Sequence, residues 1–152
     1  MIELRKAKLT DIEAMQKMVE PEVQKGVILP RSDDEVATNI RSYVLALKDG
    51  KIVGYGALHI HSIVLSEVRS LIVSTNARGL GIGKSIVEYC KQEAKDLGLK
   101  EVLVLTYIPE LFEKLGFSEI DKASIPEHKI WADCVKCKLF PVCNEIALIY
   151  KV

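Results

Sequence analysis

Residues 73–84, VSTNARGLGIGK, close an apolar run and open a helical one. Three glycines, Gly79, Gly81 and Gly83, fall between a cation at Arg78 and another at Lys84. Glycine reaches positive φ without a steric penalty, so such a turn can point successive backbone N–H groups at one spot. The first N–H groups of a helix have no partner inside it, and together they favour an anion. The stretch therefore reads as a phosphate loop, the alternative being a turn that only starts a helix. It fits neither of the two best-known phosphate signatures. A P-loop needs glycine five residues before Gly83, where Arg78 stands, and the dinucleotide pattern needs its third glycine where Lys84 or Ile86 stands.

Working outward, SIVLSEVRSLIVS before the loop reads as a long strand, partly continuous in its apolar character. After it, Ile82, Ile86, Cys90, Ala94 and Leu97 recur at helical spacing up to Gly98. KEVLVLTY reads as a short buried strand, and PELFEKLG as a helix with proline in its first turn and Gly116 as its cap. Toward the N-terminus, IELRKA alternates as a half-buried strand does. Thr10 and Glu13 are spaced as a capping box ahead of Ile12, Met15, Val19 and Val23, and Ser32 and Glu35 form a second box opening a helix through Ile40. Asp49-Gly50 joins two strands as a hairpin, and NEIALIYKV is a last strand. The order β-α-α-β-β-β-α-β-α-β predicts an α/β fold with a mixed central sheet flanked by helices, and a parallel βαβ unit around the glycine loop.

The 152 residues suit one domain over 1–152, with residues 120–145 as a cysteine-containing C-terminal segment inside it. Twenty-one basic and 21 acidic side chains give no net charge, which argues against a nucleic-acid binder. No apolar stretch reaches membrane-span length and the first residues lack a secretory core, so a cytoplasmic protein with reduced thiols is expected.

R-x-x-G-x-G at Arg78–Gly83 resembles the pyrophosphate loop of the GCN5-related N-acetyltransferases (GNAT), which hold acetyl-CoA. EVRSLIV before it resembles that family's fourth strand, and ELFEKLGF its later G-F segment, so the likeness spans roughly residues 2 to 120. The resemblance implies a coenzyme site at Arg78, Gly79, Leu80, Gly81, Ile82, Gly83 and Lys84. It also implies that backbone N–H groups of Leu71, Ile72 and Val73 pair with the pantetheine arm and polarise the thioester carbonyl.

Direct attack of an amine on a thioester needs a base, donors for the oxyanion and a proton for the departing thiolate. Glu67 is a candidate base; the alternative is a plain ion pair with Arg69, two residues along the strand. The family's usual tyrosine acid falls at Phe112, which carries no proton, leaving Tyr107, Thr106 or solvent.

The tail, SIPEHKIWADCVKCKLFPVCNEIAL, resembles the C-terminal segment of short, kinase-free N-acetylglutamate synthases. That likeness implies acetyl transfer to the α-amine of L-glutamate, the first step of arginine synthesis. It also implies a glutamate base at position 67 and phenylalanine at position 112. A substrate with two carboxylates needs cations. Arg5 follows from the resemblance, and Arg69 and Lys129 from their charge. Cys134, Cys137 and Cys143, with His128 six residues upstream of the first, could close a zinc site or be ordinary thiols. Trp131 and Cys90 read as core, His59 and His61 as structural. Other readings are an acetyltransferase for a different amine, such as a polyamine, or a non-catalytic acyl-CoA-binding module. The expected partner is a small-molecule amino acid, with a homodimer left open and neither nucleic acid nor membrane.

Overall fold

The computed structural model describes residues 2–26, 28–125 and 145–152. Among the described residues seven strands and four helices follow in the order β1 (Ile2–Lys6), α1 (Ile12–Gln24), α2 (Asp33–Thr38), β2 (Tyr43–Lys48), β3 (Lys51–Ile60), β4 (Leu65–Val73), α3 (Ile82–Leu97), β5 (Glu101–Thr106), α4 (Glu110–Lys114), β6 (Ser118–Ile120) and β7 (Ile146–Lys151), with short 3-10 turns between some of them. The strands hydrogen-bond in the order β1-β2-β3-β4-β5-β7-β6. This is the mixed α/β sheet that the sequence implies. Among the described residues no helix is long and apolar enough to cross a membrane.

Backbone contacts divide the chain into two units, Met1–Leu58 with Val68–Cys90, and His59–Glu67 with Lys91–Val152. In the first unit β2 lies antiparallel between β1 and β3. Asp49 and Gly50 both take positive φ, as the two-residue hairpin requires. Ile12, Met15 and Val19 of α1 are buried with Val36, Tyr43, Leu45, Leu47, Tyr55, Ala57 and Ile72, and Val23 packs against that cluster. In the second unit β4 and β5 run parallel, Leu65 opposite Glu101 and Glu67 opposite Leu103. With α3 they form the expected βαβ crossover. The β5–β7 and β7–β6 pairs are antiparallel over a core of Leu65, Leu103, Ile125, Ala147 and Ile149.

Several elements differ from the sequence reading. The helix opened at Ser32 ends at Thr38 rather than running through Ile40, which begins a separate 3-10 turn. Thr10 does not cap α1: a 3-10 turn, Leu9–Asp11, precedes the helix, and Asp11 accepts the Lys8 N–H at 2.7 Å. The Ser32–Glu35 box does form, with reciprocal bonds of 3.1 and 3.0 Å. Leu97 is 58% exposed rather than on the buried stripe of α3. Gly98, at φ +86°, reverses the chain there, and the Leu99 N–H returns to the Ala94 carbonyl, so Leu99 is buried instead. β4 begins at Leu65 because the Ser62 hydroxyl accepts the N–H groups of Val64 and Leu65 and holds a turn. β6, three residues long, carries too little alternation to be foreseen, and its pairing with β7 defines it.

Candidate active site

The glycine loop begins where Ser74 donates its N–H to the Val53 carbonyl at 2.8 Å. A 3-10 turn, Thr75–Ala77, follows, with only Ala77 buried. Gly79 and Gly81 take φ of +87° and +74°. Nothing lies within 4 Å of where a Cβ on either would sit. The first bond of α3 runs from the Ser85 N–H to the Gly81 carbonyl, which the Ser85 hydroxyl also meets at 3.1 Å. The N–H groups of Ile82, Gly83 and Lys84 precede that bond, so the helix itself offers them no acceptor. Leu80 and Lys84 are exposed, and Ile82 is buried beneath the turn. Arg78 is 62% exposed and approaches Glu22 at 3.9 Å, too far for a hydrogen bond. The arrangement is an open cradle of backbone donors flanked by two cations.

Leu71, Ile72 and Val73 occupy the end of β4 next to this loop. Just before them Ser70 adopts φ +56°, a left-handed conformation that interrupts the strand's alternation. Ser70 also lines a cleft with Gln16, Arg31, Tyr43 and Tyr55. Burial pushes the Tyr55 phenol well above its ordinary pKa, the nearby Tyr43 adds to this, and Arg31 opposes it. The sequence reading passed over Arg31, whose loop carries no motif.

Arg5 is placed by a fork. Its Nη1 and Nη2 each donate to an Asp11 oxygen at 2.9 Å, and Nη1 also reaches the Lys6 carbonyl at 3.2 Å. Arg5 chiefly accounts for an Asp11 carboxyl held below its usual range and, through the same hydrogen bond, its own pKa is raised. Arg5 thus has a carboxylate partner within the protein, which no spacing rule announced.

In the second unit Glu67 lies against His61, Nε2 to Oε1 at 2.8 Å, with side chains 5% and 2% exposed. The sequence reading offered Arg69 as a neighbour for Glu67 and read His61 as structural. The signal was there in retrospect: His59 and His61 stand two residues apart where β3 ends, and a tight turn separates them from Glu67. The His61 and Ser62 N–H groups close that turn on the Leu65 carbonyl. The His59 ring meets the His61 ring edge-on, centroids 4.7 Å apart.

Phe112 is buried and stacks edge-to-face on Phe117 at 5.4 Å, a core residue with no proton to give. Thr106 is also buried, and its hydroxyl accepts the Ile108 N–H. Tyr107 is exposed at the end of β5. Cys90 is buried in the apolar stripe of α3. His128, Lys129, Trp131, Cys134, Cys137 and Cys143 lie outside the described residues. Among the described residues no group of three or more His, Cys, Asp or Glu side chains is arranged to hold a metal ion.

The acetyltransferase (GNAT) domain family matches residues 39–119. An uncharacterized N-acetyltransferase of Chlorobaculum tepidum is 34% identical over 146 residues, 96% of this chain and 94% of that protein. An amino-acid acetyltransferase of Mycobacterium tuberculosis is 34% identical over 121 residues, covering 78% of this chain and 69% of that protein. Longer amino-acid acetyltransferases, such as that of Pasteurella multocida at 27% identity, are covered over only 29% of their length. A Mycobacterium tuberculosis structure solved in complex with CoA superimposes with a TM-score of 0.85 at 26% identity, over 99% of both chains. N-acetylglutamate synthase from Neisseria gonorrhoeae shares the fold at a TM-score of 0.87 and 22% identity, over 99% of this chain and 35% of that one. The chain belongs to the GNAT acetyltransferase family.

Proposed function

We propose that this acetyltransferase transfers the acetyl group of acetyl-CoA to the α-amine of an amino acid, L-glutamate, giving N-acetyl-L-glutamate for arginine synthesis. One observation carries the coenzyme assignment. Gly79 and Gly81 take positive φ just ahead of the first N–H groups of α3, between Arg78 and Lys84 in the sequence, and a Cβ on either would meet nothing within 4 Å. The diphosphate of acetyl-CoA is the anion assigned to that cradle, held by Arg78, Gly79, Leu80, Gly81, Ile82, Gly83 and Lys84. The N–H groups of Leu71, Ile72 and Val73 are assigned to the pantetheine arm and the thioester oxygen, and the left-handed Ser70 is what re-aims the strand ahead of them.

In the reaction the amine nitrogen bonds to the thioester carbon and the C–S bond breaks. Glu67 takes the amine's proton, and the thiolate receives one from Tyr107 or solvent. Arg5, Arg69 and Lys129 are the cations assigned to the substrate's carboxylates. Of these, Arg5 already shares its fork with Asp11. The choice of amino acid is supported by the amino-acid acetyltransferase relative at 34% identity, and that of glutamate by the likeness of the tail to N-acetylglutamate synthases.

The test is thiol release from acetyl-CoA against a panel of amines. Release with L-glutamate, and little with spermidine, is the expected outcome. Release with spermidine alone moves the substrate to the polyamines, and no release with any amine leaves a coenzyme-binding module.

A further inference from the structure

We infer that His61 is a positioning residue for the reaction, acting through the carboxylate of Glu67. The inference rests on the reading of Glu67 as the group that takes the amine's proton. An ionised carboxylate only accepts hydrogen bonds, so a 2.8 Å approach of its Oε1 to His61 Nε2 is attractive only with a proton on that nitrogen. His61 therefore donates from Nε2, and this bond fixes where Oε1 points and how the carboxylate plane is turned. The imidazole is itself restrained. The His59 ring stands edge-on to it at 4.7 Å, and the N–H of residue 61 is tied to the Leu65 carbonyl.

Stability gives a poor account of this pair. Both side chains are almost wholly buried, and a buried ionisable pair recovers little of its desolvation cost compared with apolar residues of the same volume. The next strand position needs no such partner, since the Ser66 hydroxyl is bonded to the Glu101 carbonyl. A carboxylate that must meet a developing ammonium within tenths of an ångström does need a fixed orientation, because small misplacements cost large factors in rate.

Steady-state kinetics of the full chain test this with His61→Leu, His61→Gln, Glu67→Gln and the double variant His61→Leu/Glu67→Gln. His61→Leu should lower kcat by about 100-fold with the KM for acetyl-CoA unchanged. His61→Gln should keep most of the rate, since its amide N–H reaches a comparable position. The double variant should be no slower than Glu67→Gln alone, because His61 acts only through Glu67. A wild-type kcat in His61→Leu beside a slow Glu67→Gln overturns the role of His61 and leaves Glu67 as the base. A wild-type kcat in Glu67→Gln removes the base and the inference with it. Where His61→Leu does not fold, His61→Asn, whose amide is too short to reach Oε1, takes its place. A fast Gln variant beside a slow Asn variant then supports the inference, and equal rates overturn it.

Discussion

Two pairs of glycines in the first unit look alike in sequence, Gly54-Tyr55-Gly56 on β3 and Gly79-Leu80-Gly81 before α3. Their reasons for being glycine are opposite. A Cβ on Gly56 would sit 2.7 Å from Cγ2 of Ile86, and one on Gly54 would sit 3.0 Å from both the Ile72 carbonyl oxygen and Cγ2 of Ile82. These strand glycines exist so that α3 can lie against β3, in a core too dense to yield a methyl group. A Cβ on Gly79 or Gly81 would touch nothing, and what demands glycine there is positive φ. The first pair is filled space and belongs to stability. The second is open space around a positive-φ turn, the turn proposed above to hold the coenzyme.

Two substitutions cross this comparison. Gly81→Val should weaken acetyl-CoA binding by about 100-fold, or about 2.8 kcal/mol, by isothermal titration calorimetry. A branched side chain there disfavours φ +74° and would crowd the turn proposed to hold the diphosphate. Unchanged affinity would mean that the loop merely starts a helix. Gly56→Ala should instead lower stability by about 2 kcal/mol in urea unfolding, as over-packing does, while folded protein keeps its coenzyme affinity. Adding Ile86→Leu, which removes the offending Cγ2, should recover part of that loss. If Gly56→Ala is as stable as wild type, β3 and α3 have more slack than the distances imply.

The same contrast explains what the sequence could reveal. The loop glycines announce themselves because their cause is local: backbone conformation, neighbouring cations and a helix start all lie within a dozen residues. The strand glycines are silent because their cause is Ile82 and Ile86, some thirty residues away. The hairpin at Asp49-Gly50 and the stripe of Ile82, Ile86, Cys90 and Ala94 were legible for the first reason. The pairing of Glu67 with His61 was not, since it depends on how a turn sets two strands against each other. Nor was that of Arg5 with Asp11. Spacing along one strand offers Glu67 the neighbour Arg69, and such spacing does not reach across a turn to His61. Leu97 failed as a core residue because Gly98 reverses the chain directly after it and Leu99 takes the buried place instead.

The smallest effect decides to which class the entry to α1 belongs. Arg5 and Asp11 are 34% and 13% exposed, neither sealed like the strand glycines nor open like the loop. The fork from Arg5 holds the Asp11 carboxyl below its ordinary pKa. A depressed carboxyl contributes stability that is present above its unfolded value of about 3.9 and is lost as pH falls through the lower folded value. The raised pKa of Arg5 has no bearing in this range, because both states stay protonated far below it. Urea midpoints measured at pH 7 and pH 3 should therefore show wild type losing more than Asp11→Asn. Partial exposure limits the difference to no more than about 1 kcal/mol. If the two proteins lose stability equally, the pair is no staple. The interest of Arg5 then shifts to substrate, and Asp11→Asn should change the KM for the amine substrate rather than the folding equilibrium.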